Sequence, residues 1–121
     1  ILEIGPGYGF LTDNILSQNP KSLTLIEKDD DLVKLLKQKY TNNKNVKIYN
    51  KNILKFDLKD FNNLIIISNL PYNISSKVIL KLYEFSENID EMIFMIQKEM
   101  AIKFDYNLPK MNKYKFITKI I

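Results

Sequence analysis

Residues 1–12, ILEIGPGYGFLT, decide the fold of this chain. All three glycines of the 121-residue sequence lie in this stretch, at Gly5, Gly7 and Gly9. Glycine adopts positive φ angles at little steric cost and lets a ligand approach the main chain closely. Open α/β sheets bind nucleotides where an apolar strand runs into a glycine-rich turn and then a helix. The stretch therefore predicts a cofactor-binding turn, in preference to an ordinary tight strand-to-helix connection.

The rest of the sequence alternates between apolar segments of strand length and amphipathic segments of helix length. The predicted strands are residues 1–4, 23–26, 46–49, 64–68, 92–96 and 114–121, and the predicted helices are residues 10–17, 30–40, 75–85 and 98–104. The strand at 64–68 is the most continuously apolar, as in a parallel strand buried on both faces. This alternation predicts one α/β domain with a doubly wound, mostly parallel sheet.

Composition excludes several kinds of chemistry. The chain contains neither cysteine nor histidine, which excludes disulfides, thiolate catalysis, an imidazole base and the commonest metal ligand. We therefore expect no metal and a reducing, cytoplasmic compartment. The longest apolar runs are too short to cross a membrane. All 18 basic residues are lysines and the formal net charge is +4, which indicates a polyanionic partner or merely an AT-rich coding sequence.

An acidic residue lies where a nucleotide at the glycine turn would need one. Glu27 follows the second predicted strand, 18 residues after Gly9. An acid in this position can accept hydrogen bonds from ribose hydroxyls. The glycine spacing is G-x-G-x-G and includes Pro6, whereas the dinucleotide fingerprint is G-x-G-x-x-G. The spacing favours S-adenosylmethionine as the cofactor, with a nicotinamide-dependent oxidoreductase as a more distant alternative.

The segment SNLPYN, residues 68–73, directly follows the most apolar strand. Pro71 stiffens the turn and favours extended backbone before it. The Asn69 amide and the Leu70 carbonyl would then be two acceptors beside the Tyr72 ring. Two acceptors and a flat ring suit the amino group and the face of an adenine, and enzymes that modify a base hold it unstacked in such a pocket.

Four stretches together resemble the ribosomal-RNA adenine N6-dimethyltransferases of the small-subunit kind: EIGPGYGFLT (3–12), IEKD (26–29), NLPYNISS (69–76) and QKE (97–99). The erythromycin-resistance methylases, which act on large-subunit RNA, are relatives, but Pro6 and Leu70 resemble the small-subunit branch more. Mitochondrial transcription factors of the same family are a further possibility. The resemblance implies a Rossmann-like S-adenosylmethionine-dependent methyltransferase fold. It also implies methyl transfer from S-adenosylmethionine to N6 of adenines in small-subunit ribosomal RNA.

The resemblance also implies roles for individual residues. Gly5 and Gly7 would border the methionine part of the cofactor, and Glu27 would bind its ribose. Asn52 stands where the family usually has an aspartate that accepts a hydrogen bond from the cofactor's adenine amino group. An amide oxygen can still accept that bond, but the negative charge is lost.

The remaining implied roles belong to the target base. Asn69, with the Leu70 carbonyl, would hold the target N6, and Asn69 is expected at the cofactor as well. Tyr72 would stack on the adenine. These three residues are the predicted catalytic set.

The resemblance also implies two family features that lie outside residues 1–121. An N-terminal segment that closes over the cofactor and a C-terminal helical domain that grips RNA are both absent from this sequence. Residues 1–121 are therefore expected to be the cofactor-binding catalytic core, truncated at both ends, monomeric, and weak or inactive alone. A non-catalytic RNA-binding or ribosome-assembly module, or an inactive fragment, remains the alternative.

Overall fold

The computed structural model describes residues 1–70, 73–97 and 114–119, and for residues 97 and 114–119 the description covers the backbone. The chain divides into two compact units, Ile1–Phe56 and Asp57–Ile121.

The first unit contains three parallel strands and two helices. Its elements are β1 (Leu2–Ile4), α1 (Phe10–Leu16), β2 (Leu23–Glu27), α2 (Asp30–Lys39) and β3 (Val46–Asn50), followed by a short 3₁₀ turn at Ile53–Lys55. β2 pairs in parallel with both β1 and β3, with Ile4 opposite Ile26 and Glu27 opposite Asn50. The carboxyl ends of these strands, and the connections that follow them, therefore share one edge.

Burial in the first unit explains why these segments fold. Every residue of β1 and β2 is buried, as expected for central parallel strands. The apolar side of α2 buries Val33 and Leu36. Asp29 caps α2 by accepting hydrogen bonds from the backbone N–H groups of Asp31 and Leu32, so the sequence itself marks where the helix begins.

The second unit is built on β4 (Leu64–Asn69), α3 (Ser75–Glu84), a 3₁₀ turn at Ser86–Asn88, β5 (Ile89–Gln97) and β6 (Tyr114–Lys119). β5 pairs in parallel with both β4 and β6. Along β5, Met92 and Phe94 are fully buried, and α3 contributes its buried face at Val78, Ile79 and Leu82. The register places Asn69, the last residue of β4, opposite Met95.

The predicted α/β fold with a mostly parallel sheet is confirmed, and most predicted boundaries agree within two residues. β5 begins at Ile89, three residues before the predicted start, and the two 3₁₀ turns were not predicted. The prediction that residues 64–68 are buried on both faces is wrong. Leu64, Ile66 and Ser68 are buried, whereas the alternate residues are only half-buried. The predicted helix at 98–104 and the last two residues of the final strand lie outside the described residues.

Candidate functional site

The turn after β1 is built from left-handed backbone. The φ angles of Gly5, Gly7 and Gly9 are 65°, 58° and 90°. Residues with a Cβ rarely adopt these values. Gly5 N–H donates to the Ile26 carbonyl at 2.9 Å, and Gly9 N–H donates to the Pro6 carbonyl at 2.9 Å. Glycine at these three positions is therefore a requirement of the turn itself.

The space around the turn differs from one glycine to the next. Among the described residues, no atom lies within 4 Å of a Cβ added at Gly5 or at Gly7. A Cβ added at Gly9 would clash with the Tyr40 hydroxyl and lie 3.1 Å from Lys39 Nζ. The first two glycines thus leave open room beside the main chain, while the third is packed against α2.

Glu27, the last residue of β2, binds the glycine turn directly. Its Oε1 accepts a hydrogen bond from Gly7 N–H at 3.1 Å, and its Oε2 accepts one from Asp29 N–H at 3.0 Å. The residue is 7% exposed. The structure therefore brings Glu27 to the turn, as the sequence order suggested. Its role in binding ribose stays a prediction.

Asn52 lies just beyond β3, and its side chain already has a structural partner. Its Oδ1 accepts a hydrogen bond from Leu54 N–H at 3.0 Å and so caps the 3₁₀ turn. A carbonyl oxygen has two lone pairs, so one acceptor position remains beyond this bond. The ladder continues next to Asn52, because Lys51 N–H donates to the Glu27 carbonyl at 3.1 Å. Contact between Asn52 and a cofactor adenine stays a prediction.

A buried acid beneath the turn was not identified as a site residue from the sequence. Glu3 is 2% exposed, and its Oε2 accepts a hydrogen bond from the Thr12 hydroxyl at 2.5 Å. Burial raises the pKa of Glu3 to about 7, although the Thr12 hydrogen bond acts in the opposite direction. The sequence did contain a signal for this role of Glu3, because a single acid inside an apolar strand needs a buried hydrogen-bond partner.

A second polar cluster joins the end of α2 to the turn. The Tyr40 hydroxyl lies 2.7 Å from Asp13 Oδ1 and 3.2 Å from the Gly9 carbonyl oxygen. Lys39 Nζ donates to Asp13 Oδ2 at 2.8 Å and to the Tyr8 carbonyl at 3.2 Å. Hydrogen bonds from Lys39 and then Tyr40 lower the pKa of Asp13. Desolvation and the Asp13 carboxylate raise the pKa of Tyr40, so its hydroxyl keeps its proton.

The predicted target segment begins at the end of β4. The Asn69 side chain is exposed, and its backbone is in register with Met95. Leu70 N–H donates to the Met95 carbonyl at 3.2 Å, and the Leu70 side chain is 2% exposed. The backbone ladder therefore extends one residue beyond β4. Pro71 and Tyr72 lie outside the described residues, so the stacking role of Tyr72 stays a prediction.

The described residues contain neither a candidate metal site nor a helix suited to a membrane. In residues 1–70, 73–97 and 114–119, no group of three or more acidic, histidine or cysteine side chains is arranged to hold a metal ion. No helix in these ranges has the length and apolar character needed to cross a membrane.

Comparison with known proteins decides the family. Residues 1–117 match the family model described as ribosomal RNA adenine dimethylase. The chain belongs to this family. Among curated dimethylase relatives, the ribosomal RNA small subunit methyltransferase A of Malacoplasma penetrans is 51% identical over 104 residues, covering 84% of this chain and 36% of the relative.

Solved structures agree with the dimethylase assignment and its methyltransferase fold. A dimethyladenosine transferase from Plasmodium falciparum is 29% identical with a TM-score of 0.72, covering 88% of this chain and 38% of that one. The 23S rRNA methyltransferase ErmE is 29% identical with a TM-score of 0.71, covering 87% of this chain and 43% of that one. This chain therefore spans about two fifths of the length of each relative.

Proposed function

We propose that the natural protein containing this sequence transfers methyl groups from S-adenosylmethionine to N6 of adenines in small-subunit ribosomal RNA. The observation that carries the proposal is the Glu27 carboxylate bound to Gly7 N–H, at a turn whose first two glycines leave open space. In a ribosomal RNA adenine dimethylase, that combination supports a cofactor site.

The residues of the first unit suit this cofactor. Each Glu27 oxygen accepts one backbone hydrogen bond and keeps a lone pair that can accept from a ribose hydroxyl. Among the described residues, no side chain covers the Cβ positions of Gly5 and Gly7, which leaves room for the methionine part, and Asn52 Oδ1 keeps an acceptor position for the adenine amino group. When bound, S-adenosylmethionine would supply an electrophilic methyl group, which an amine nitrogen can take as the C–S bond breaks and the neutral thioether leaves.

The second unit would hold the target base. The Asn69 amide oxygen and the Leu70 carbonyl would accept hydrogen bonds from the target amino group, which fixes the direction in which its nitrogen presents its lone pair. Tyr72 would stack on the adenine ring and hold it unpaired. Orientation of this kind accounts for a large share of the rate gain when the cofactor carries the reactive group. The hydrogen bond from Leu70 N–H to the Met95 carbonyl supports the backbone that carries these two acceptors.

The wider setting follows from composition and family. The net charge of +4, carried entirely by lysines, favours contact with the phosphates of ribosomal RNA. We infer that the protein is monomeric and cytoplasmic. We also infer that it needs no metal, since the proposed transfer uses only the cofactor and hydrogen-bonding groups.

The test is methylation of small-subunit ribosomal particles that lack adenine dimethylation, with labelled S-adenosylmethionine and mass spectrometry of the released nucleosides. The natural protein should produce N6,N6-dimethyladenosine. Asn69→Ala should lower kcat/KM by about 100-fold, the scale for losing one preorganised hydrogen-bonding group at a reacting centre.

Asn62→Ala is the matched control, because Asn62 is an exposed asparagine of the same unit. It should methylate like the unmodified protein. Full activity in Asn69→Ala would remove Asn69 from the target site. Absence of any methylated adenosine with the unmodified protein would overturn the proposed function.

A further inference from the structure

Two side chains at the end of α2 hold the backbone of the glycine turn from outside the stretches that identify the family. Lys39 Nζ donates to the Tyr8 carbonyl, and the Tyr40 hydroxyl lies 3.2 Å from the Gly9 carbonyl oxygen. Both side chains also bind the two oxygens of Asp13, at 2.8 Å and 2.7 Å. Two consecutive carbonyls of the turn and the first turn of α1 are therefore tied to α2.

These contacts join parts of the chain that lie far apart in sequence, and Tyr40 is 6% exposed. A hydrogen bond in such surroundings is poorly replaced by water when it is lost. Lys39 and Asp13 are partly exposed, with 35% and 51% of their side-chain surfaces accessible, so their ion pair contributes less. Tyr40 is thus the stronger member of the cluster.

Gly9 shows how closely this cluster fits the turn. A Cβ at Gly9 would clash with the Tyr40 hydroxyl. The absence of a side chain at the third glycine lets Tyr40 approach the turn, whereas the first two glycines face open space. Gly9 therefore allows close packing against Tyr40, whereas Gly5 and Gly7 leave space beside the main chain.

A turn with three positive-φ glycines has much conformational freedom to lose when a ligand binds. A turn that is already held in one shape loses less, and the ligand binds more tightly. We propose that Tyr40 and Lys39 are positioning residues that fix the glycine turn and thereby set the affinity for S-adenosylmethionine. This inference rests on the proposed function, since it concerns the same cofactor.

The test is Tyr40→Phe in the natural protein, which removes the hydroxyl and keeps the ring. We expect the Kd and KM for S-adenosylmethionine to rise roughly 5- to 10-fold, the scale of one buried hydrogen bond. We expect kcat to stay within twofold, because no atom of Tyr40 is placed at the reacting groups. A merely structural tyrosine would lower the melting temperature without this split between KM and kcat.

The matched control is Tyr49→Phe, since Tyr49 is half-buried in β3 and its ring packs edge-on against Phe56 at 5.3 Å between centroids. Its KM for the cofactor should not change. A rise in KM of less than twofold in Tyr40→Phe, or an equal rise in both variants, would overturn the proposal.

Lys39→Met decides the question if Tyr40→Phe fails to fold. It should raise the cofactor KM about two- to threefold, whereas Lys37→Met, at an exposed lysine of the same helical turn, should leave it unchanged. Equal KM values in the two lysine variants would overturn the proposal. Failure of the proposed function is distinguishable, because the unmodified protein would then produce no methylated adenosine, whereas failure of this inference leaves methylation by the unmodified protein intact.

Discussion

The glycine turn of the first unit and the end of β4 in the second are held by different sets of hydrogen bonds. The turn has backbone hydrogen bonds at Gly5 and Gly9 and, in addition, side-chain bonds, with Glu27 at Gly7 N–H and Tyr40 and Lys39 at the carbonyls of Gly9 and Tyr8. At the end of β4, up to the last described residue, Leu70 N–H is bound to the Met95 carbonyl in the parallel ladder.

Because of this difference, a substitution in the glycine turn should affect stability and function together, whereas a substitution at the end of β4 can affect function alone. A turn held by polar side chains changes shape when one of them is replaced, so single substitutions there should affect folding and cofactor binding together. A segment held by a backbone ladder keeps its shape when an exposed side chain is removed. Asn69 can therefore be altered to test function with the fold intact.

The largest expected effect is at Gly9. Gly9→Ala combines a φ of 90° with a Cβ that clashes with Tyr40, so we expect the free energy of unfolding to fall by about 2 to 5 kcal/mol. The added Cβ of Gly5→Ala or Gly7→Ala meets no atom in the described part of the chain, so each should cost about 1 to 2 kcal/mol from backbone strain. Urea denaturation of the three variants gives the comparison. Equal losses at all three positions would show that Tyr40 does not pack against the turn.

A smaller effect concerns pH and Glu3. Its pKa is raised from 4.5 to about 7, so the folded protein holds a proton that the unfolded chain releases between these values. The contribution of this group to the free energy of unfolding is therefore greatest below pH 4.5, declines as pH rises to 7, and then levels off. Three groups interact with Glu3. The Thr12 hydroxyl donates a hydrogen bond to it, the Asp13 carboxylate raises its pKa, and the charge of Glu3 in turn raises the pKa of Tyr40.

Glu3→Gln should remove this decline and stabilise the protein at pH 8 by about 1 to 3 kcal/mol, since glutamine stays neutral and its carbonyl can still accept the Thr12 hydrogen bond. The measurement is urea denaturation at pH 5 and pH 8. Glu87→Gln, at an exposed acid of the second unit, is the control and should leave the pH dependence unchanged. A Glu3→Gln variant with the pH dependence of the unmodified protein would show that folding does not raise the pKa of Glu3.

The smallest effect on stability is expected at the end of β4. Asn69→Ala removes an exposed side chain and should change the free energy of unfolding by less than about 0.5 kcal/mol. The same urea denaturation measures it. A loss above 2 kcal/mol would mean that the segment depends on its side chains as the turn does, and the contrast between the two regions would fail.

Local sequence patterns predicted most of the fold because each element carries its own signals. The apolar runs of β1 and β2 and the Asp29 cap of α2 specify their segments without reference to the rest of the chain. Glu27 was also predictable, because the carboxyl ends of neighbouring parallel strands meet at one edge. The prediction placed the start of β5 too late, because Asp90 interrupts the apolar run near the beginning of the strand. The strand nevertheless pairs with β4 from Ile89.

The polar support of the site was not predictable in the same way. The contact between Tyr40 and Gly9 depends on how α2 lies against the turn, which no local pattern encodes. Asn52 was assigned to the cofactor by the family resemblance, but its use as a cap for Leu54 depends on a 3₁₀ turn that the sequence does not mark. Glu3 has a buried partner only because α1 places Thr12 above β1.

The most direct test of the central claim, that the glycine turn and Glu27 form an S-adenosylmethionine site, is calorimetry of the natural protein with this cofactor. The unmodified protein should bind, and Glu27→Ala should bind more weakly by roughly 1.5 to 3 kcal/mol, the range for a hydrogen bond to a charged group. Asp31→Ala removes the same charge from an exposed position four residues away and should bind like the unmodified protein. Equal affinity in Glu27→Ala and Asp31→Ala would contradict the account.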